Sequence, residues 1–256
     1  MENFKNIKII FENSDYLVID KPAGLAVHGG GNIKEKTLAD WLVDNYPEIA
    51  SVGEDSLRPG IVHRLDKEVS GLMVVARNND SFKHLKSQFK DRDINKEYVA
   101  LAHGQMINDF GTINFPIKRA KDGYKMAAMP LNTFDLLSRS HPTSRDQGNL
   151  DGIFKAREAI TEYSVIKKFI NYTLLDVKIL TGRTHQIRVH FFALGHPLAG
   201  DNLYYNKKSK VQNQKINLGR IFLFAKALSF KDRQGEMHHF EIEMPRELSD
   251  FLKNLK

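Results

Sequence analysis

Short apolar runs alternate with helical patterns along the first part of the chain. The runs "IKIIF" and "YLVID", separated by "ENSD", predict two strands joined by a turn. In "TLADWLVDNYP", Thr37 and Asp40 have the spacing of a capping box, and a helical apolar pattern follows as far as Pro47. The run "GLMVVA" is short and continuously apolar, which predicts a buried strand.

The remaining patterns predict further helices and strands. Asp80 is the predicted N-cap of a helix in "NDSFKHLKSQF", and "INKEYVALAHG" predicts a strand that ends at Gly104. "AITEYSVIKKF" and "YTLLDVKIL" predict a strand pair, "QIRVHFFAL" a helix ended by Gly195 and Pro197, "RIFLFAKALSF" and "HHFEIEMP" two strands, and "RELSDFLKNLK" a final helix. Such a mixture of elements indicates α+β or α/β. Residues 118–160 are polar and show no sustained period, so we interpret them as a long insertion, either mobile or functional.

Composition is that of a soluble globular chain. The 256 residues are 41% hydrophobic and 27% charged, and we expect one domain over 1–256. A formal net charge of +7 favours a polyanionic partner. The absence of cysteine excludes disulfides, thiolate zinc sites and a cysteine nucleophile. With no signal-peptide pattern and no membrane-length apolar run, we expect a cytoplasmic protein without a membrane partner.

Two clusters of charged residues offer candidate chemistry. In "VHRLDKEVSGLMVVA", Arg64 and Asp66 project to the same side if the segment is extended. For an isolated "HRLD", a solvated loop with an ion pair to Asp66 is the preferred interpretation. In "TGRTHQIRVH", Arg183, His185 and Arg188 gather where a helix begins, together with His190. Backbone N–H groups and the helix dipole favour an anion there, but the charges could also do no more than solvate one face of the helix.

Taken together, the motifs resemble a known enzyme family. "HRLDKEVSGL", "INKEYVALAHG" and "LTGRTHQIRVHFFALGHPLAGD" are similar, in this order, to the catalytic motifs of the RluA family of pseudouridine synthases, and "DKPAGLAVHGGGN" resembles its N-terminal signature. The residues within these motifs are most similar to those of family members that act on large-subunit ribosomal RNA. The resemblance implies an α+β fold with a central, mostly antiparallel mixed sheet, flanking helices and a catalytic cleft between two subdomains.

The resemblance also implies roles for individual residues. Asp66 would be the catalytic carboxylate of an isomerase that breaks the N1 glycosidic bond of a uridine and rejoins the base to the same ribose through C5. A carboxylate suits this reaction because it can stabilise electron deficiency at C1′ or trap the sugar. Arg183 would keep Asp66 charged. Tyr98 would pack on the base and assist loss of the C5 proton, although a tyrosine in a strand is more often an ordinary cross-strand aromatic.

The other residues carried over would bind RNA. Arg64 would fill the space that the target base vacates when it leaves its stack, and His63 and Arg188 would add contacts to RNA. The implied enzyme needs no metal and no organic cofactor, and its partner is ribosomal RNA or, alternatively, transfer RNA. We expect a monomer without an N-terminal RNA-binding domain. Val69 stands where the family usually has Thr, from which we expect a tuning effect rather than lost activity.

Three other functions remain as alternatives. A metal-dependent nuclease could use His28, His63, His185 or His190 with Asp66 or Asp201, but neither HExxH nor a paired-carboxylate spacing is present. A non-catalytic RNA-binding module would not need Asp66, Tyr98 and Arg183 as a set. An ordinary glycosidase would need a second carboxyl group beside Asp66.

Overall fold

Eleven strands and five α-helices make up the part of the chain that the structure describes. This computed structural model describes residues 4, 6–29, 35–120, 122–129, 156–216 and 218–256. The strands are β1 (Lys8–Glu12), β2 (Tyr16–Lys21), β3 (Ser70–Ala76), β4 (Asn95–His103), β5 (Phe110–Ile113), β6 (Ile117–Arg119), β7 (Met126–Ala128), β8 (Thr161–Lys168), β9 (Tyr172–Ile179), β10 (Leu223–Lys231) and β11 (Met237–Glu241). The helices are α1 (Leu38–Asn45), α2 (Asn79–Asp91), α3 (Gln186–Ala193), α4 (Lys207–Lys215) and α5 (Arg246–Lys253), with a short 3₁₀ helix at Pro47–Ser51.

The chain divides into two compact units. One comprises Met1–Val99 with Leu223–Asp250, and the other comprises Ala100–Phe222 with Phe251–Lys256. The expectations of a single domain over 1–256 and of a cleft between subdomains stay predictions. Within the described residues, no helix has the length and apolar character of a membrane span.

The first unit is built on a mixed sheet. Strands β1, β2 and β3 pair antiparallel in succession, β3 pairs parallel with β10, and β10 pairs antiparallel with β11. Every residue of β3 is buried, as its uninterrupted apolar run predicted. The hydrophobic core beside this sheet includes Val74 of β3, Phe82 and Leu85 of α2, and Phe230 of β10.

The parallel pair β3–β10 comes unusually close at Gly71. This residue has φ +122° and lies opposite Ala225, and a Cβ atom added to it would lie 2.2 Å from the Ala225 carbonyl oxygen. Only glycine fits both the backbone conformation and the space. The chain therefore enters β3, directly after the HRLD segment, through a position that tolerates no side chain.

The second unit contains an antiparallel sheet and a hairpin. Strands β5, β8 and β9 pair antiparallel in that order, and β6 pairs with β7. The β6–β7 hairpin overlaps the start of the insertion predicted for 118–160, and Arg157 bridges back to Ile117. That segment therefore contains a strand pair and one isolated bridge, whereas 121 and 130–155 lie outside the described residues. The predicted α+β class with a mostly antiparallel mixed sheet and flanking helices is confirmed.

Of two helix N-caps predicted from the sequence, one is confirmed and the other is wrong. Thr37 and Asp40 form the predicted capping box of α1. The cap of α2 is Asn78, whose side chain accepts from the Ser81 N–H, and not Asp80. Both side chains are good N-caps, but capping requires the residue before the first helical turn, and Asp80 already lies within that turn.

Candidate active site

Asp66 lies in the loop that leads into β3. The Val69 N–H donates to the Asp66 carbonyl oxygen at 3.1 Å, which closes a turn directly after the carboxylate. Leu65 is buried beside it, while Asp66 itself is half-buried. The loop is thus fixed to the core by one neighbour and presents the carboxylate at the edge of the interior.

Lys21 braces this loop from inside the protein. Its side chain is fully buried, and its Nζ donates to the carbonyl oxygens of Pro22 and Leu25 at 2.8 Å and of Lys67 at 3.3 Å. The Gly24 N–H donates to the same Lys67 oxygen at 2.8 Å. The "KPAG" segment therefore holds the residue that follows Asp66. The sequence did not reveal this role because the partners are backbone atoms, and the one next to Asp66 is distant from Lys21 along the chain.

His63 binds the backbone of β3. Its Nε2 accepts from the Val74 N–H at 3.0 Å, and its ring stacks on Phe89 with centroids 4.5 Å apart. Burial, together with the nearby Lys96 ammonium, lowers the pKa of His63 to about 3. At neutral pH the ring is thus uncharged and serves as an acceptor within the fold. Its predicted contact with RNA stays a prediction.

Arg64 points away from the core. The side chain is exposed, and its Nη1 lies 3.0 Å from Nε2 of His28. The Nδ1 atom of His28 lies 2.7 Å from the Gly29 carbonyl oxygen. An exposed guanidinium held at one nitrogen keeps its other donors available for a ligand.

Tyr98 lies in β4 and interacts electrostatically with Asp66. The tyrosine is 7% exposed. Burial first, and then the Asp66 charge, raise the pKa of the Tyr98 hydroxyl. These two members of the predicted catalytic set thus lie in the same unit, and the tyrosine brings a neutral hydroxyl rather than a phenolate.

Arg183 lies in the other unit, in the turn before α3. Its Nε donates to the Glu158 carbonyl oxygen at 2.9 Å, and its backbone N–H donates to Oε1 of Gln186 at 3.0 Å. The buried Gln186 side chain also binds Ile160 and Thr161, so the turn is fixed to β8. The predicted pairing of Arg183 with Asp66 stays a prediction.

Arg188 is bound inside the second unit. Its Nε and Nη2 donate to the two carboxylate oxygens of Asp201 at 2.8 and 2.9 Å, and the two side chains are 4% and 0% exposed. Asp201 Oδ1 also accepts from the Leu203 and Tyr204 N–H groups. The described geometry gives Arg188 a structural role, and its predicted contact with RNA stays a prediction.

The two histidines of this motif also have partners within the fold. His190 is fully buried between Thr161 Oγ1 and the Phe115 carbonyl oxygen, and burial lowers its pKa. His185 Nδ1 lies 2.8 Å from the Tyr204 hydroxyl. Much of the apparent basic cluster therefore organises α3.

Among the described residues, one group could hold a metal ion. Asp232, Glu236 and His238 in the β10–β11 hairpin place their ligand atoms within 4.8 Å of one another. The group includes none of the histidines or carboxylates that the nuclease alternative would use. Asp232 already binds His238 and two backbone N–H groups of the hairpin.

Comparison with known proteins gives consistent matches. Residues 15–193 match the family model described as RNA pseudouridylate synthase. An "Uncharacterized RNA pseudouridine synthase" of Aquifex aeolicus is 40% identical over 244 residues, covering 93% of this chain and 70% of that relative. A "Ribosomal large subunit pseudouridine synthase D" of Buchnera aphidicola is 33% identical over 259 residues, covering 98% and 73%.

A solved structure supports the same fold. "Human RNA Pseudouridylate Synthase Domain Containing 1" superposes with a TM-score of 0.70 at 24% identity, covering 96% of this chain and 87% of that one. The residues of "AVHGGGN" predict, more specifically, a relative of the large-subunit enzyme RluC. That finer assignment is not confirmed: the relatives from Buchnera aphidicola and Borreliella burgdorferi are named ribosomal large subunit pseudouridine synthase D.

Proposed function

Because the chain belongs to the RNA pseudouridylate synthase family, and so is an RNA pseudouridine synthase, we propose that it isomerises uridines of large-subunit ribosomal RNA, with Asp66 as its catalytic carboxylate. The observation that supports this target is the likeness to large-subunit enzymes, which extends over 97% of the chain in the relative from Borreliella burgdorferi. Transfer RNA is the alternative substrate. A cytoplasmic location and a monomeric state are further parts of the proposal.

The reaction leaves the atomic composition of the RNA unchanged. The bond between N1 of uracil and C1′ breaks, the base turns, a bond forms between C5 and C1′, and the proton on C5 is lost as N1 gains one. Asp66 supplies negative charge at C1′, attacks C1′ or the base directly, or removes a ribose proton. Tyr98, whose hydroxyl stays protonated because burial raises its pKa, offers a ring to the base and a neutral hydroxyl to the proton transfer.

The other residues act on the RNA before the chemistry. A target uridine must leave its stack, which costs a few kcal/mol. Arg64 is exposed, and its planar guanidinium can stack on neighbouring bases in the vacated space. Arg183 is the proposed cation for Asp66, while His63 and Arg188 contribute to RNA binding through the segments that they hold in place.

The test is release of tritium from C5 of uridine. Unmodified large-subunit ribosomal RNA transcript labelled at C5 is incubated in EDTA with the wild type, with Asp66→Ala and with Asp91→Ala, a control at an exposed aspartate of α2. We expect release by the wild type and the control and none by Asp66→Ala.

Each other outcome has a separate meaning. Release from transfer RNA but not from ribosomal RNA would replace the proposed substrate. Binding of both RNAs without release would indicate a non-catalytic module. Equal release by Asp66→Ala would show that the assignment of the carboxylate is wrong, and loss of activity in EDTA would indicate a metal-dependent enzyme.

A further inference from the structure

His28 and Arg64 form a hydrogen bond whose direction follows from their chemistry. A guanidinium can only donate, so Nε2 of His28 accepts from Nη1 of Arg64 at 3.0 Å. The Gly29 carbonyl oxygen can only accept, so Nδ1 of His28 donates to it at 2.7 Å. Both bonds form together only when the imidazole is neutral and carries its proton on Nδ1.

This contact restrains a side chain that would otherwise be mobile. Arg64 is exposed, and a free arginine side chain samples many rotamers that must be lost when it enters RNA. His28 is half-buried, and its Nδ1 is held by the backbone of its own loop. The imidazole is therefore a fixed acceptor that restricts Arg64 before RNA arrives.

We propose that His28 is a positioning residue that holds Arg64 ready to fill the space vacated by the target uridine. This inference rests on the proposed function, since it assigns a partner to the RNA-inserting arginine. The side-chain partner of His28 is Arg64, so the proposed effect of His28 on the reaction passes through Arg64.

A double-mutant cycle tests the proposal by tritium release. We expect His28→Ala to lower kcat/KM by about 2- to 12-fold, the range of one hydrogen bond, and His28→Gln to recover most of it through its amide oxygen. In an Arg64→Ala background, His28→Ala should have no further effect. The matched control is His84→Ala, a histidine of α2 that binds the Lys231 carbonyl oxygen.

Two results would overturn the proposal. One is an equal loss from His28→Ala in both backgrounds, which would mean that His28 acts independently of Arg64. The other is a ¹⁵N imidazole NMR spectrum in which the His28 proton resides on Nε2. The spectrum needs no activity, so an inactive wild type would refute the proposed function without deciding this contact.

A second proposal rests on a different observation, the lysines of α4. At 100° per residue, the inward side of this helix carries Ser209, Gln212 and Asn213, which are buried or half-buried. The opposite side carries four exposed lysines: Lys207, Lys208, Lys210 and Lys215. The helix contains no acidic residue, and among the described residues none of the four lysines forms an ion pair.

Polar contacts hold α4 in a fixed orientation. Asn213 Oδ1 accepts from the Gly200 N–H at 2.9 Å and binds His103 Nε2 at 2.8 Å, and its Nδ2 donates to the Asp201 carbonyl oxygen at 3.2 Å. Asp201 is the residue that binds Arg188. Three lysines in the first turn oppose the positive end of the helix dipole, so their placement does not favour the helix itself.

We infer that the exposed face of α4 binds phosphates of the RNA substrate backbone. Charge complementarity supports this occupant, since RNA is a polyanion and the only charged residues of this helix are its four lysines, which lie around the exposed Val211 and Gln214. The contacts would be independent of sequence. Like the His28 proposal, this inference rests on the proposed function, since it names a contact surface for the proposed RNA substrate.

The salt dependence of RNA binding tests this surface. Affinity for a 20-base-pair RNA duplex is measured by fluorescence anisotropy at several salt concentrations. The test variant replaces all four lysines of α4 by Gln, and the control variant replaces four exposed lysines outside the helix, namely Lys8, Lys83, Lys90 and Lys231. Each phosphate contact contributes about 0.7–0.9 to the slope of log K against log salt, so loss of two to four contacts should reduce the slope by roughly 1.4–3.6.

The control decides the outcome. An equal reduction in both variants would indicate diffuse attraction and would overturn the assignment, and so would an unchanged slope in the α4 variant. Circular dichroism should show an intact fold, because the replaced side chains are exposed. The binding assay needs no turnover, so it stays informative if the wild type releases no tritium.

Discussion

Replacing Asp201 by Asn shows whether Arg188 serves the fold or the RNA. The Arg188–Asp201 pair is almost completely buried and has two nitrogen–oxygen contacts of 2.8 and 2.9 Å. Asparagine keeps an oxygen for the Leu203 and Tyr204 N–H groups, so the substitution removes little besides the negative charge. Arg188 then loses the carboxylate charge that its Nε and Nη2 contact.

The expected cost is large. Removing one partner of a buried ion pair destabilises a protein by about 3–5 kcal/mol, because the remaining charge stays desolvated. Solvent screening does not reduce this value much, since the two side chains are only 4% and 0% exposed. Arg188→Met should cost a similar amount, and the double variant should be less destabilised than the sum of the two by roughly 1–3 kcal/mol.

Urea denaturation followed by circular dichroism measures these free energies, and RNA affinity is measured in parallel at fixed salt. We expect the stability of both single variants to fall and the double variant to recover part of the loss. If Asp201→Asn left the free energy of unfolding unchanged while Arg188→Met weakened RNA binding, the structural role of the pair would be refuted. Arg188 would then be an RNA contact, as its motif suggested.

The remaining predictions concern the loop that carries Asp66 and the strand behind it. Lys21→Met should destabilise the protein by at least about 2 kcal/mol in urea and lower tritium release, because buried carbonyl groups lose their donor. Gly71→Ala should destabilise the protein by more than Gly235→Ala. Both glycines have positive φ, but an alanine Cβ at 71 meets a carbonyl oxygen at 2.2 Å, whereas at 235 it meets nothing within 4 Å. Equal losses of unfolding free energy would contradict the packing argument. His63 has a pKa of about 3 in the folded protein and 6.5 as its reference, so its stabilising contribution should be complete above pH 6.5 and decline as the pH falls toward 3. Urea denaturation across this range should show that the free energy of unfolding falls less toward low pH in His63→Gln than in the wild type. NMR titration should find the His63 imidazole neutral at pH 5.

Elements with local or strongly periodic signals could be predicted from the sequence. The capping box of α1 needs only residues three apart, and β3 needs only its own apolar run. The α4 helix was not predicted, because its inward side is polar and its anchoring atoms belong to Gly200, Asp201 and His103. A helix held by hydrogen bonds leaves no apolar stripe in the sequence.

The same distinction holds for the candidate site. Asp66, Tyr98 and Arg64 could be chosen because motif resemblance marks residue types in order along the chain. The structural partners could not be chosen in this way: Asp201 for Arg188, the Val74 N–H for His63 and three backbone carbonyl groups for Lys21. A sequence shows that a residue is charged, but only the fold shows whether that charge is already bound.

The parallel pairing of β3 with β10 has a consequence for the time at which the enzyme becomes active during its own synthesis. Gly71 and Ala225 are neighbours in the sheet, yet roughly 150 residues separate them along the chain, which is on the order of ten seconds of translation. Until the ribosome has released β10, the strand that follows the Asp66 loop lacks one of its two flanking strands. A nascent chain can therefore carry the complete HRLD motif well before it has the sheet that supports it, and its isomerase activity should begin only after β10 has been synthesised.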